Sequence, residues 1–448
     1  MTLSFILLIL TLALVQGAIV GLMPGLNGIV GVIVVLPFFY NWPVEAILLF
    51  FSCYICVTQY FGSVSALLFK VPGEGSSIPV LDISIRLKRF TSIVKAYRTT
   101  AWTSLVGALV GITLFIVLFF IFRHNWTQLF STKFIVGFLS LLIAVLIMQN
   151  RQYFFNIGML LLGLGLVYFN EIPALNPICD AASWLCFLRS PTEATLVLLS
   201  VYCIPLFFYR VQNVVPTSTT DGYLPGWRKI FKFWPIGVKH GLFGFFAGFT
   251  PGAGLTLASN VSNGIEHKRN PYKLLTMAGS AEAANNAAAI SCTIPFLFLG
   301  IPITPSELVI DNFLATRFYR LNLSTLDTVI TVAGYAVSFV AVLLVCMLII
   351  NVVSFLLCGH FIRFWRKFIG IESRIYLTAV KLIVLASMLT VIYTGNITWA
   401  AAIWTMLVFG AIGTWAMRTN RSVIGLVMML MIGPFIVNKF ELFYNLYF

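Results

Sequence analysis

Two backbone breaks and a few uncharged polar residues carry most of the chemistry this sequence offers. Pro24-Gly25, with Asn27 close behind, and Pro251-Gly252, with Gly254, each interrupt a long apolar run near its middle. Backbone that leaves helical geometry in hydrocarbon must be satisfied by protein or by a water-filled cavity. The freed N–H groups at a half-helix start suit an anion, and freed carbonyls suit a cation such as Na⁺. Ser63 and Ser65 add hydroxyls, while Asn285 and Asn286 add amides that donate or accept. A further pair of breaks follows them, Pro72-Gly73 in one case and Gly300-Ile301-Pro302 in the other. Together these groups can hold a carboxylate or a stripped cation without a permanent buried charge. The plainer alternative is a pair of kinks in packed helices, with Ser and Asn as interhelical glue.

The ionisable residues within apolar stretches are few. Lys70 stands two positions before Pro72-Gly73, where it can pair with a substrate carboxylate or with Glu74, or snorkel to the interface. Glu282 lies three residues before Asn285 and can cap a half-helix or take part in cation or proton coupling. Lys381, near the start of an apolar helix, reads as a snorkelling side chain. Glu307 and Asp311 fall in a stretch expected to be an external loop with solvated charges. His124, His240, His267 and His360 are expected near helix ends and form no ligand cluster. Cys53 and Cys56 make a C-x-x-C without a second pair or a nearby histidine. Cys179 and Cys186 share one polar loop and could bridge in an oxidising compartment. No catalytic residue, resident cofactor or metal site beyond a coupling Na⁺ is expected.

The elements that must position these groups come in two copies. Gly17-x-x-x-Gly21-x-x-Pro24-Gly25 recurs as Gly244-x-x-x-Gly248-x-x-Pro251-Gly252, and Pro251 lies 227 positions beyond Pro24, about half the chain. The Lys and Arg distribution gives their relative orientation. Residues 86–98, 151, 210–239, 268–273, 363–374, 418 and 421 hold 20 of the 28 basic residues. The loops that correspond to them in the other half hold six. Each basic loop thus matches a basic-poor one, which predicts inverted-topology repeats. The expected organisation is a first repeat over 1–210, a cytoplasmic linker over 211–234 and a second repeat over 235–448. Within them, hairpins are expected at 3–40 and 241–266, and broken segments at 45–75 and 280–305. In the transporters built this way, substrate binds near the bilayer midplane where the repeats meet.

Composition agrees with a bilayer setting. Of 448 residues, 60% are hydrophobic and 9% charged, with a mean hydropathy of +0.98. A soluble domain carries about a quarter charged residues, so a soluble enzyme, a nucleic-acid reader and a disordered chain are all excluded. At roughly 20 apolar residues per span, the length allows about ten to thirteen membrane segments. The net charge of +14 is best assigned to orienting loops rather than to an anionic macromolecule. The first residues lack a basic n-region and read as a membrane segment, not a cleaved signal. The expected fold class is an all-α polytopic membrane protein with broken or re-entrant helices.

The motifs also resemble those of a known family. Gly62-Ser63-Val64-Ser65-Ala66-Leu67-Leu68 with Pro72-Gly73-Glu74, and Phe249-Thr250-Pro251-Gly252-Ala253-Gly254, are similar to strings in the large membrane subunit of the tripartite tricarboxylate transporters, TctA. So are Glu282-Ala283-Ala284-Asn285-Asn286-Ala287-Ala288 and Ile294-Pro295-Phe296-Leu297-Phe298-Leu299-Gly300-Ile301-Pro302. The resemblance implies a bacterial inner-membrane permease that imports carboxylates on a cation gradient. It also implies two partners, a small membrane subunit and a periplasmic solute-binding protein. Carried onto this chain, it marks the Pro-Gly tips, Ser63, Ser65, Asn285, Asn286 and the Leu299–Pro302 turn as lining substrate and Na⁺ sites. Lys70 departs from the family, which usually has Asn there, and a fixed cation at that place could replace a bound Na⁺. After Pro72-Gly73 the family's Thr and D-G-Y are also missing, as Asp82 is followed by Ile83-Ser84.

A cation-coupled carboxylate importer of elevator type is therefore the expected function, with Na⁺ or H⁺ as coupling ion. An anion channel would need rings of charge or a continuous polar lining. An intramembrane enzyme acting on a lipid-linked substrate would need clustered carboxylates or a nucleophile with its base. The fourteen dispersed acids supply neither.

Overall fold

The computed structural model describes residues 1–22, 28–69, 75–87, 90–124, 132–148, 152–169, 191–208, 226–252, 254–270, 272–316, 319, 321, 328–332, 334–360, 373–394, 397–419, 421 and 423–447. Its helices are α1 Leu3–Leu22, α2 Gly28–Val35, α3 Val44–Phe69, α4 Ile78–Arg86, α5 Phe90–His124, α6 Thr132–Met148 and α7 Tyr153–Phe169. After these come α8 Pro191–Phe207, α9 Trp227–Ile230, α10 Trp234–Gly248, α11 Gly254–Arg269, α12 Leu274–Ser291, α13 Thr293–Leu299 and α14 Pro305–Thr316. The last four are α15 Phe339–His360, α16 Ser373–Thr394, α17 Trp399–Thr419 and α18 Ile424–Tyr447. One antiparallel hairpin, β1 Val329–Val332 with β2 Tyr335–Ser338, is added to the expected all-helical fold.

Five described helices are long and apolar enough to cross a bilayer: 3–22, 44–68, 92–121, 339–358 and 399–416. Three shorter apolar helices, 132–148, 153–166 and 384–393, accompany them. By contrast α10 and α11, of 15 and 16 residues, are each only about 24 Å long at 1.5 Å per residue. That is short of the roughly 30 Å hydrocarbon layer. They follow one another across 249–253 and pack against one another as a helical hairpin. In the first half, α3 runs unbroken from Val44 to Phe69. The interruption expected within 45–75 is therefore not among its residues, and Lys70, Pro72 and Gly73 lie outside the described residues. So do Pro24, Gly25, Asn27, Cys179, Cys186 and linker residues 211–225.

The helix carrying Glu282, Asn285 and Asn286 is enclosed over most of its length. From Met277 to Ser291 every residue of α12 is buried, with α5, α10 and α11 against it. Small residues make this possible. A methyl group placed on Gly107 of α5 would strike the Ala283 backbone, one on Gly244 of α10 the Ala284 backbone, and one on Gly248 both Ala288 and Ser291. The first half packs in the same way. Gly17 and Gly21 of α1 lie against Val57 and Phe61 of α3. These contacts correspond pairwise: Gly244, Ala284, Gly248 and Ala288 each stand 227 positions after Gly17, Val57, Gly21 and Phe61. In both halves the G-x-x-x-G helix ahead of a Pro-Gly seats on the helix that bears the polar motif.

Candidate functional site

The polar residues of the two halves meet where α3 passes α12. Asn285 Nδ2 donates to Gln59 Oε1 at 2.9 Å, and Ser76 Oγ donates to the same oxygen at 3.1 Å. The next residue, Asn286, donates from Nδ2 to Ser104 Oγ of α5 at 2.9 Å and to the Glu282 carbonyl at 2.9 Å. Ser104 Oγ in turn stands 3.5 Å from Glu282 Oε2. Gln59, Ser76, Ser104, Glu282, Asn285 and Asn286 are all buried. The side-chain oxygens of Asn285 and Asn286 and the hydroxyls of Tyr60 and Tyr97 are buried without a hydrogen-bonding protein partner among the described residues.

Beside this cluster lies a cavity of about 10 Å³, the room of roughly one water molecule. It is lined by Tyr60, Ser63, Tyr97, Thr100, Ser104 and Cys358, among others. Ser63 thus faces the cavity, while its hydroxyl donates back to the Gln59 carbonyl at 3.2 Å. Ser65 is fully buried on the same helix but does not line it. The arrangement is uncharged apart from Glu282 and rich in oxygen acceptors and amide donors. Such a set can coordinate a small cation or bind a carboxylate. Gln59 and Ser104 were not singled out by the sequence reading. A polar residue inside an apolar run has the same appearance as interhelical glue, and only the packing of α3 and α5 on α12 brings these two to Asn285 and Asn286.

The second hairpin and the second break form a separate junction. At the tip, Pro251 is buried and Gly252 adopts φ +69°, a left-handed conformation that favours glycine. Gly252 N–H donates to the Ile303 carbonyl at 2.7 Å, which ties the tip to the residue after Gly300-Ile301-Pro302. Gly254, buried, opens α11. Gly300 ends α13 at φ +62°, with its own N–H on the Phe296 carbonyl, the bond of an αL cap, and that of Ile301 on the Pro295 carbonyl. A side chain there would also meet the Leu321 carbonyl. Ile301 and Pro302 are buried.

Glu307 corrects an expectation. It is not a solvated loop charge but a fully buried residue in the first turn of α14. Its Oε2 accepts the N–H of Ile303 at 2.8 Å and of Thr304 at 2.9 Å, and Thr304 Oγ1 accepts the Glu307 N–H at 3.3 Å. This is a capping box, written in the sequence as Thr304-Pro305-Ser306-Glu307 with Pro at the first helical position. Burial, only partly offset by the bonds from Ile303 and Thr304, pushes this carboxyl up to about 8. Asp311, on the same helix, is half-buried rather than in an external loop.

A third cluster closes the base of the hairpin. His240 is buried within α10, not at a helix end. Its Nε2 lies 2.9 Å from Glu266 Oε1 of α11, and Lys239 Nζ lies 2.7 Å from the same oxygen. Burial lowers the His240 imidazole despite the bond to Glu266. For Glu266 burial acts upward, but the bonds from Lys239 and His240 outweigh it and hold the carboxyl below the usual range. Neutral His240 therefore donates through Nε2. Lys381 reaches the Phe207 carbonyl at the end of α8, at 3.2 Å. No group of three or more metal-ligating side chains occurs among the described residues.

Comparison with known proteins places this architecture. A protein of Agrobacterium vitis, described as an uncharacterized 52.8 kDa protein in the TAR-I ttuC' 3' region, is 22% identical over 323 residues. The match covers 66% of this chain and 61% of that protein, so the chain spans less than two thirds of the relative's length. No solved structure matches. The model of the tripartite tricarboxylate transporter TctA family matches residues 7–428, nearly the whole sequence. The chain belongs to the TctA family of tripartite tricarboxylate transporters.

Proposed function

We propose that this chain is the permease of a tripartite system, a secondary active transporter that imports a tricarboxylate or dicarboxylate across a bacterial inner membrane. A Na⁺ or H⁺ gradient drives it, a periplasmic solute-binding protein delivers the substrate, and a small membrane subunit completes the complex. The two halves are inverted repeats, and access alternates by an elevator-type movement. Family membership supports the carrier reading. The packing pairs that recur 227 positions apart support the repeat, and the unequal loop charges support its inversion. The observation that carries the site is the buried amide contact between halves, Asn285 on Gln59, beside the Ser104–Asn286–Glu282 bonds and the small cavity. Buried polar groups in a membrane protein are costly, and they commonly mark substrate and ion pathways.

The experiment is counterflow uptake in proteoliposomes holding the chain, its small subunit and its binding protein. A panel of tri- and dicarboxylates is offered under an imposed Na⁺ or pH gradient. Gradient-dependent accumulation of at least one carboxylate is expected. Asn285→Ala should lower uptake about tenfold, the equivalent of a hydrogen bond to a charged group at ~1.5 kcal/mol. Failure to accumulate any carboxylate under either gradient would overturn the proposal.

A further inference from the structure

Glu307 has a feature that its capping role leaves unexplained. One carboxyl oxygen, Oε2, receives both backbone N–H groups. The other, Oε1, is buried with no hydrogen-bonding partner among the described residues, and the residue as a whole is 0% exposed. A capping glutamate on an exposed helix start keeps its charge because water reaches the second oxygen. Here water is excluded, and no basic side chain is hydrogen-bonded to either oxygen among the described residues. The two oxygens are therefore inequivalent: Oε2 is engaged as an acceptor, and Oε1 is the oxygen left to carry a proton.

We propose that Glu307 is a proton-binding site, and that its proton neutralises the junction where the Pro251-Gly252 tip meets the turn at Gly300-Ile301-Pro302. The junction is direct, because Ile303 gives its N–H to Glu307 and its carbonyl to Gly252. Loss of the proton would leave a bare carboxylate beside buried backbone, with Oε1 in need of water or a cation. Opening the tip–turn contact is the nearest way to admit either. The helices packed on α14 are α2, α8 and α18, and the ring of Tyr40 also meets Phe313 of α14. Of these α2 has no titratable side chain, α8 carries Glu193, Tyr202 and Cys203, and α18 carries Lys439, Glu441, Tyr444 and Tyr447. Asp311 lies on α14 itself. None of these contributes to the Glu307 shift, whose causes are burial and the bonds from Ile303 and Thr304. Resting on the carrier reading above, the inference makes the proton a coupling ion at this junction.

The test is infrared difference spectroscopy of the full chain in lipid as pH is raised, in the wild type, Glu307→Gln and Glu282→Gln. The expected result is a protonated-carboxyl band present at neutral pH and lost through about pH 8. Glu307→Gln should remove it, and Glu282→Gln should leave it. No titrating band in the wild type, or a band that survives Glu307→Gln, overturns the proposal. Should Glu307→Gln fail to fold, wild-type thermal unfolding gives the second reading. Stability must fall as pH rises from the ordinary carboxylate value to about 8, and a profile with no such fall across that window overturns the site. The spectroscopy needs no transport. An absent band with intact carboxylate uptake defeats the proton site alone, whereas a clear band without uptake defeats the carrier reading alone.

Discussion

Glu266 and Glu307 keep their burial tolerable by opposite means. Each is a buried carboxyl on a short helix that follows a Pro/Gly turn, α11 after Pro251-Gly252 and α14 after Gly300-Ile301-Pro302. Glu266 keeps its charge because Lys239 and His240 of α10 bring donors to one oxygen. Glu307 has only two backbone N–H groups, and burial drives it toward the neutral acid. The difference teaches that depth and partner type together set a buried acid's protonation state: burial raises both carboxyls, and only charged or imidazole donors outweigh it. A half-exposed lysine at the hairpin base can supply a full charge, whereas backbone dipoles at the junction cannot.

The largest effect should come from emptying the poorer site. Glu307→Ala removes the acceptor for two buried N–H groups and the capping box, a loss of about 2–4 kcal/mol. Glu266→Ala should cost less, about 1–2 kcal/mol, because the side chain of Lys239 is 49% exposed and can turn to water. Thermal unfolding of both variants in one lipid or detergent checks the order, and a larger loss in Glu266→Ala would break the comparison.

The pH profile sharpens it. Glu307 is raised in the folded state, so its contribution is fully present below the ordinary carboxylate value and is lost as pH rises through about 8. Glu266 is lowered, so its contribution is present above the ordinary carboxylate value and lost as pH falls through its folded value. His240 is lowered as well, and the unfolded chain then binds the proton more readily, so stability also drops as pH falls below about 6.5. Glu307 makes stability fall as pH rises from the ordinary carboxylate value to about 8, while Glu266 and His240 make it fall toward acid. Unfolding temperature measured across pH should keep its acid fall in Glu307→Gln and lose the fall that ends at about 8. The smallest effect belongs to Lys239→Gln, about 0.5 kcal/mol and diminishing with added salt, since half of that side chain already meets solvent.

Much of the site was legible in the order of residues. The G-x-x-x-G and Pro-Gly strings marked two corresponding stretches, and the structure seats Gly17 and Gly21 on α3 and Gly244 and Gly248 on α12. Gly300 was legible as a turn because a positive φ is a local demand that only a few residue types meet. The partners of Asn285 and Asn286 were not, because Gln59 and Ser104 reach them across 226 and 182 positions through tertiary packing alone. His240 and Glu266 come together only because the hairpin folds back between them. Glu307 is the instructive miss. The signal Thr304-Pro305-Ser306-Glu307 was present, but an acid in a short stretch was read by its charge rather than by its position three residues after a capping threonine.

The enclosure of α12 has a mechanical consequence. Where backbone touches backbone, at Gly107 on Ala283, Gly244 on Ala284 and Gly248 on Ala288, no side-chain rotamers are available to cushion a shift. A displacement of α12 by itself would break these contacts, and any movement that kept them would have to carry α5 and α10 with it.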